Sequence, residues 1–426
     1  VTGPSAGVRS IIRFMSVPLS RRDLLLAAAV PAPASGIRRE VFARSPSPGV
    51  AVMAYAFYTE PRGGAMVSIE ERWSRSDTVD VAYIRRSRDH GRHWGEAETL
   101  RTGEKRPGGT FRLHPRCCFV DASGRFLEFK IEGLLPTDDP LEGLRQWNIH
   151  YRVSGGPWKR IVHEGAEYND GHPLPGVWTG KNCVMLGDMA CAPVNAPDGH
   201  ILLPVQMTPL GPDGKLANPG GGYTYTDVAV LHGRWRGSSL SWTMSDVVRG
   251  DPRLSTRGMD EGTLGQLDDG GWILIMRGAN DRHPDLPSYR WISRSSDGGR
   301  RWTAPEPWTY DDSQPFFSPS SCSQLVRHHS GRLFWLGNIT PANPRGNRPR
   351  YPFVIGEVDR RSGLLKRSTI RQIDGLAPGE DPILSLSNFY AREDRETGGI
   401  ALHMARLFAG GEAPWSGDAY LYRIPV

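Results

Sequence analysis

Six stretches of the chain share one pattern, in which a polar turn with glycine is followed at once by a run of apolar residues. Such a run indicates a strand, and a glycine at the turn supplies the positive φ of a tight hairpin. The pattern therefore predicts six β-hairpins. They are PRGGAMVSI at Gly64, DASGRFLEF at Gly124, APDGHILLPV at Gly199, DDGGWILIM at Gly270, HHSGRLFWL at Gly331 and ETGGIALHM at Gly399.

The spacing of the six hairpins indicates a repeated unit. Successive turns lie 60, 75, 71, 61 and 68 residues apart, and about 67 residues hold four short strands with their loops. Six units account for residues 36–426 and predict an all-β, six-bladed β-propeller of four-stranded antiparallel blades. A pair of β-sandwiches is the alternative, although it would place turns at shorter intervals.

Composition agrees with many turns and narrows the possible partners. The chain has 50 glycines and 35 prolines among 426 residues, which suits strands and turns better than long helices. The net charge of +6 is spread along the sequence without a basic tract, so we expect no nucleic-acid partner. No apolar run reaches the roughly 18 residues of a membrane span. We expect a monomer without cofactor, and without metal because no metal-ligand spacing is present.

Residues 1–35 have the pattern of an export signal. From Met15 the sequence MSVPLSRRDLLLAAAVPAPASG contains the arginine pair Arg21 and Arg22, a short apolar stretch and an A-x-A site ending at Ala34. We therefore expect a translation start near Met15, Tat-type export to the periplasm or the cell exterior, and a folded chain from about Gly36. A short N-terminal helix is the alternative.

Two further turns share the spacing S-x-D-x-G-x-x-W. Serine and aspartate side chains can accept hydrogen bonds from backbone amides within such a turn, glycine takes a positive φ, and tryptophan can pack between neighbouring blades. We expect a structural role for these eight residues: Ser87, Asp89, Gly91, Trp94, Ser295, Asp297, Gly299 and Trp302.

With these turns, known as Asp-boxes, the chain resembles the sialidase (neuraminidase) superfamily of six-bladed propellers over about residues 45–426. The resemblance implies an exo-acting glycoside hydrolase that releases a terminal acidic sugar from glycoconjugates. It also implies three arginines that bind the carboxylate of the sugar, an acid/base aspartate, and a tyrosine nucleophile assisted by a glutamate. Asp-boxes occur in other propellers too, so the fold follows from them more directly than the activity.

Residues seven positions after each hairpin glycine should lie at one level of one rim, because side chains alternate along equivalent strands. Five of these six residues are polar, which predicts a wet, substrate-sized opening at the axis. Ordinary polarity at strand ends is the alternative. The six residues are Glu71, Ile131, Gln206, Arg277, Asn338 and Arg406.

The pair of Glu261 and Arg277 is the best local match to the sialidase pattern. Glu261 enters the strand before the DDGG turn and Arg277 ends the strand after it, so the hairpin brings both to one end. The resemblance makes Arg277 one of the carboxylate-binding arginines and Glu261 the assisting glutamate. A guanidinium suits a carboxylate because it binds both oxygens.

The segment AMVSIEER and the loop after it are similar to the family's L-L-A-F-x-E-x-R segment and its acid/base aspartate. This similarity makes Glu71 and Arg72 candidates for substrate binding. It makes Asp77 the first candidate for the acid and Asp80 the second. A loop carboxylate can protonate a leaving group when burial raises its pKa.

The remaining family positions match less well. NITPANPRGNRPRYPFVI is similar to the site of the third arginine and offers Arg348 or Arg350. No arginine lies near Val52, where the family has its first arginine. The position of the nucleophilic tyrosine holds Leu386, and Tyr390 can serve as the nucleophile only if the register shifts by four residues.

These departures leave two other functions open: a uronoside hydrolase or polysaccharide lyase on the same propeller, and a propeller that binds glycans without catalysis. The loops at 168–172 and 222–227, with Trp178, are candidates for a sugar-binding wall. His114 and His172 are expected to be structural.

Overall fold

Short β-strands make up almost all of the regular structure. The computed structural model describes residues 36–140, 147–161, 184–222 and 224–426. Within these ranges the helical element is a single 3-10 turn at Arg367–Thr369, and no helix there is long and apolar enough to span a membrane. The prediction of an all-β chain is confirmed.

The described strands are numbered here in chain order. They are β1 Arg38–Ala43, β2 Ala51–Tyr58, β3 Met66–Trp73, β4 Val81–Ser87, β5 Glu98–Arg101, β6 Gly103–Arg106, β7 Gly109–Val120, β8 Phe126–Leu135, β9 Asn148–Val153, β10 Lys159–Arg160, β11 Val184–Met185, β12 Val194–Asn195, β13 Ile201–Met207, β14 Asp227–Arg236, β15 Ser239–Met244, β16 Asp260–Gln266, β17 Trp272–Arg277, β18 Arg290–Ser295, β19 Glu306–Pro307, β20 Gln324–Arg327, β21 Leu333–Asn338, β22 Phe353–Val358, β23 Arg371–Asp374, β24 Phe389–Glu393, β25 Ile400–Leu407 and β26 Gly417–Ile424.

Within the described ranges these strands form five sheets in a propeller-like arrangement. Four sheets have four or five strands: β6 to β10, β11 to β15, β16 to β19 and β20 to β23. The fifth has eight, in the order β24-β25-β26-β2-β3-β4-β5 with β1 on β26. The predicted six separate blades are therefore not observed. The physical reason is a parallel pair between Ala51 and Gly417, which joins the first and last groups of strands.

The six predicted hairpins all connect antiparallel strands. Four of the named glycines have the expected positive φ, for example 85° at Gly270. In the first and last hairpins the prediction was one residue late, since the positive φ belongs to Gly63 and Gly398 rather than to Gly64 and Gly399. A glycine pair at each of these turns allowed either assignment.

The two S-x-D-x-G-x-x-W turns share three backbone-to-side-chain hydrogen bonds. In the second turn the hydroxyl of Ser295 accepts bonds from the amides of Asp297 and Gly299 at 3.4 and 2.9 Å. The carboxylate of Asp297 accepts a bond from the amide of Arg301 at 2.9 Å. Trp302 packs against the apolar cluster formed by β13 and β14 with β16, β17 and β18. In the first turn Trp94 instead packs edge-on against Phe42, with ring centroids 5.9 Å apart.

A Ser295→Ala variant should lose about 1–3 kcal/mol of unfolding free energy, because the buried amide of Gly299 loses its acceptor. Urea denaturation of the two proteins measures the difference. Ser296→Ala is the matched control, since Ser296 is the exposed neighbour in the same turn and its removal should change stability by less than about 0.5 kcal/mol. Equal losses in both variants would contradict this role for the Ser295 hydroxyl.

Candidate active site

A cavity of about 260 Å³ opens where strand ends from different sheets converge. Of the six predicted rim residues, Ile131, Gln206 and Arg277 line it. They lie in strands of three different sheets, Ile131 within β8, Gln206 next to the end of β13 and Arg277 at the end of β17, so strand packing fixes the positions of their backbones.

Glu261 and Arg277 form a tight ion pair in the cavity wall. Arg277 Nη1 donates to Glu261 Oε2 at 2.5 Å, and Arg277 Nη2 lies 3.6 Å from Asp260 Oδ2. Burial opposes the charged state of both partners, but their attraction lowers the pKa of Glu261 and raises that of Arg277. Both groups therefore remain charged, and Gln206 Oε1 accepts a bond from the amide of Glu261 at 3.2 Å.

A β-bulge sets the direction of Glu261. Asp260 pairs directly with Arg277, but the next pair is Thr263 with Ile275, so two residues of β16 oppose one of β17. Glu261 has a φ of 46°, which is uncommon for a residue other than glycine. Bulges and such conformations are frequent beside active sites, where they redirect a side chain.

Two further cavity arginines have no carboxylate within ion-pair distance among the described residues. Arg350 donates through Nη2 to the carbonyl of Ser320 at 2.8 Å, and Arg116 donates through Nη1 to the carbonyl of Pro115 at 3.1 Å. The Nε of each arginine is buried without a hydrogen-bond partner in this part of the chain. Burial, with repulsion from Arg277, lowers the pKa of Arg350 to about 10. These two guanidiniums can therefore accept an anion.

The first candidate for the acid lies on the cavity and the second does not. Asp77 lines the cavity, is exposed, and has a φ of 54° in the loop after β3. The hydroxyl of Ser76 donates to its Oδ2 at 2.8 Å. Asp80 instead accepts a bond from the amide of Ser74 at 2.7 Å and shapes the loop.

Asp188 is a second cavity carboxylate, which the sequence analysis did not identify. Its Oδ1 accepts a bond from the amide of Met189 at 2.8 Å, and its Oδ2 accepts one from Asn388 Nδ2 at 3.0 Å. Burial and the negative charge of Glu261 raise its pKa to about 6, although Arg116 opposes the shift. The group can therefore gain or lose a proton close to neutral pH.

Several predicted substrate-binding residues lie outside the cavity lining. Glu71 is buried and accepts a bond from Trp73 Nε1 at 3.1 Å, and Arg72, one residue on, faces away and stacks over Tyr83. Successive side chains of a strand point to opposite faces of the sheet, so Glu71 and Arg72 have different surroundings. Asn338 is fully buried and donates to the carbonyl of Arg350 at 3.0 Å, so it positions the loop that carries that arginine.

Two arginines of the predicted set are bound elsewhere. Arg406 is held by Asp374 and Glu380, with a distance of 2.5 Å to the glutamate, because β25 meets the loop after β23 at that point. Arg348 is exposed and pairs with Glu412 at 3.0 Å. Of the two candidates for the third arginine, the structure brings Arg350 and not Arg348 to the cavity.

Tyr390 is not positioned as a nucleophile. It is in β24, where its ring packs on Phe57 with centroids 4.3 Å apart, and it does not line the cavity. No described tyrosine does: Tyr55 is buried in β2, and burial raises its pKa. Residues 168–172, Trp178 and Tyr223 lie outside the described residues.

The positions of Arg116 and Arg257 were also missed. Arg257 donates to Thr224 Oγ1 at 2.7 Å and lies 3.6 Å from Asp260, which gives Asp260 two arginine neighbours. Because Arg257 is only four residues before Glu261 in the sequence, its presence near the site could have been predicted. Arg116 lies in a bulge of β7, between the pairs formed by Pro115 and Cys118, and strand alternation could not have indicated its direction.

Aromatic rings form part of the cavity wall on two sides. His114 lies between Trp73 and Trp147, with ring centroids 6.5 and 4.8 Å away, and Phe408 packs edge-on against Trp415 at 4.8 Å. All five line the cavity. Aromatic faces with a few polar groups suit a ring-shaped polar ligand.

One group of possible metal ligands exists among the described residues, and it is outside the cavity lining. It consists of His328, His329 and Glu393. Both ring nitrogens of His328 already have partners, Ser330 and the carbonyl of Gly398, and His329 Nδ1 pairs with Glu393 at 2.5 Å. Internal bonding therefore accounts for this group.

No family model and no curated protein matches the chain. Solved structures resemble it at low identity. A Dyadobacter fermentans protein of unknown function is 16% identical, covers 92% of this chain and 100% of its own, and has a TM-score of 0.58. NanB sialidase from Streptococcus pneumoniae is 11% identical, with 96% and 73% covered and a TM-score of 0.57. An intramolecular trans-sialidase from Ruminococcus gnavus is 10% identical, with 88% and 94% covered and a TM-score of 0.53. At these identities the likeness shows a shared fold, that of the propeller sialidases.

Proposed function

We propose that the protein is an exo-acting glycoside hydrolase, similar to an exo-α-sialidase, that releases a terminal acidic sugar from a glycoconjugate. The observation that carries the proposal is the pair of cavity arginines, Arg116 and Arg350, that have no carboxylate partner among the described residues. Both side chains are partly buried, a setting in which a guanidinium without a counterion is unfavourable, and a carboxylate on the substrate would supply the counterion. The sialidase-like fold agrees with this chemistry.

The other cavity groups supply the remaining roles. Asp77 would protonate the leaving oxygen, because it is an accessible carboxylate on the loop over the cavity. Arg277, fixed by Glu261, would add a third guanidinium to the wall. The volume of about 260 Å³ lies below the roughly 300–1,000 Å³ of sites for larger ligands, which favours one terminal sugar over a chain.

A second candidate is a hydrolase for a terminal uronic acid. Two observations favour it over a strict sialidase: Met53 lines the cavity from β2, close to the position where the resemblance predicts the first arginine, and no described tyrosine lines the cavity. Both departures concern groups that the resemblance ties to sialic acid.

Three finer features belong to the same proposal. The eight-stranded sheet would be two blades, β2 to β5 and β24 to β26 with β1, joined by the single Ala51–Gly417 pair, which gives six blades in all. The S-x-D-x-G-x-x-W turns would be Asp-boxes. The protein would be exported as a monomer by a Tat-type signal within residues 1–35.

The protein should hydrolyse a fluorogenic glycoside of an acidic sugar and leave the matching neutral glycoside intact. The assay compares 4-methylumbelliferyl α-sialoside with α- and β-uronosides and the corresponding hexosides. Release from an acidic substrate at least 100-fold above the neutral one supports the proposal. An unsaturated product absorbing near the ultraviolet edge would indicate a lyase, and glycan affinity by calorimetry without turnover of any substrate would indicate a binding protein. Either result contradicts the proposal.

A further inference from the structure

Asp188 is held in the cavity wall as a defined carboxylate. It lies in the loop between β11 and β12, where Met189 and Asn388 each donate a hydrogen bond to a different oxygen. Asn388 itself lines the cavity and directly precedes β24, so a residue next to a strand of another sheet fixes the orientation of Asp188. The thiol of Cys322 is a further donor, 3.8 Å from Oδ2, so Oδ1 is the oxygen with a single donor and keeps a lone pair free for a ligand.

Asp188 has charged neighbours in the cavity but no ion-pair partner of its own among the described residues. Burial raises the pKa of Asp188, the negative charges of Glu261 and Asp77 raise it further, and Arg116 opposes them. Glu261 is neutralised by Arg277 at 2.5 Å, whereas the carboxylate of Asp188 has no arginine within ion-pair distance among the described residues. Asp188 is therefore, like Asp77, a cavity carboxylate with hydrogen-bond support and no salt bridge among the described residues, but Asp77 is on an exposed loop whereas Asp188 is held in the wall with its negative charge available.

We propose that Asp188 is the nucleophile of the hydrolysis, in place of the tyrosine that the sialidase resemblance predicts; this inference rests on the proposed function. One carboxylate oxygen of Asp188 forms a bond to the anomeric carbon while the bond to the leaving oxygen breaks. Asp77 gives its proton to that oxygen. A water molecule then attacks the same carbon, returns one proton to Asp77 and releases Asp188 as a carboxylate, so atoms and charge balance over both steps.

An anionic nucleophile also restricts the substrate. In a sialoside the anomeric carbon itself carries a carboxylate. An attack of Asp188 on that carbon would bring two negatively charged carboxylates close together. In a uronoside the carboxylate is attached across the ring oxygen from the anomeric carbon, so the attack of Asp188 on that carbon does not bring the two carboxylates together, and the cavity arginines remain available to bind the carboxylate of the sugar. The assignment of Asp188 therefore selects uronosides over sialosides as the substrate class.

The test uses Asp188→Gly with Asp213→Asn as control, because Asp213 is exposed and outside the cavity lining. On the uronoside that the full chain hydrolyses, Asp188→Gly should lose at least 1,000-fold in kcat, and azide should restore turnover as a uronosyl azide. A 2-fluoro uronosyl substrate should leave a covalent adduct on the peptide that contains Asp188, detected by mass spectrometry. The control should retain full turnover.

Other outcomes separate the two proposals. Wild-type turnover of an acidic glycoside with an adduct on another residue, such as Tyr168 or Tyr223, would overturn the assignment of Asp188 and leave the proposed function standing. Full activity in Asp188→Gly would do the same. Absence of wild-type turnover on every acidic glycoside would overturn both.

Discussion

An Arg350→Met variant should lose most of its turnover while becoming no less stable. Arg350 has no carboxylate within ion-pair distance among the described residues, and burial opposes its charge. Loss of its contact with a bound carboxylate should cost about 2–4 kcal/mol, or roughly 30- to 1,000-fold in kcat/KM. An apolar side chain of similar length removes an uncompensated charge, so the unfolding free energy should stay level or rise by up to about 2 kcal/mol. Steady-state kinetics and urea denaturation measure the two effects.

Arg348→Met is the matched control for this variant. Arg348 is two residues away on the same loop, but it is exposed and pairs with the exposed Glu412. Such a pair contributes at most about 1 kcal/mol, so both kinetics and stability should remain close to those of the parent protein. Equal activity losses in the two variants would contradict the distinction between them, and a large loss of stability in Arg350→Met would assign that arginine to the fold.

The strands and hairpins were predictable because apolar runs and glycine turns are local signals. The six hairpin turns could be read in this way, and the strands that follow Gly199, Gly270, Gly331 and Gly399 are buried along their whole length. What local signals could not give is how the sheets join. The pair between Ala51 and Gly417 links residues more than 360 positions apart, and neither residue carries a pattern that indicates it.

The sequence placed the site residues of regular strands correctly and missed those that lie in bulges or loops. Gln206 and Arg277 lie at or next to the ends of uninterrupted strands, and counting from the turn placed them correctly on the cavity. Arg116 lies in a bulge, where a strand gains one residue and the alternation of faces is broken. Asp188 follows a two-residue strand, so no periodic pattern includes it. Only the folded chain brings these two residues into the cavity.

The rule of seven positions after each hairpin glycine also selected residues that serve the fold. Asn338 stands at the predicted level, but it is fully buried and bonded to the carbonyls of Arg350, Pro352 and Leu386. A polar side chain at a strand end can thus satisfy neighbouring backbone groups instead of a ligand. Arg406 also serves the fold, because it forms ion pairs with the side chains of Asp374 and Glu380. Polarity alone does not separate these roles.

An Arg277→Met variant should lose both turnover and stability. Its removal leaves Glu261 and Asp260 buried, and of the arginines paired with them only Arg257 remains, 3.6 Å from Asp260. Breaking a buried ion pair from one side costs about 3–5 kcal/mol, because the remaining charge has no partner. Urea denaturation should show a loss of this size, and kcat/KM should fall at least as far as in Arg350→Met.

A double-mutant cycle identifies the origin of this loss. Glu261→Gln removes the orphaned charge, so the double variant Arg277→Met/Glu261→Gln should recover part of the stability and none of the activity. A coupling energy below about 0.5 kcal/mol would contradict the ion pair. The two arginines then differ in a way that activity alone cannot reveal: loss of Arg350 should leave the fold unharmed because its partner is the substrate, whereas loss of Arg277 should weaken it because its partner is Glu261.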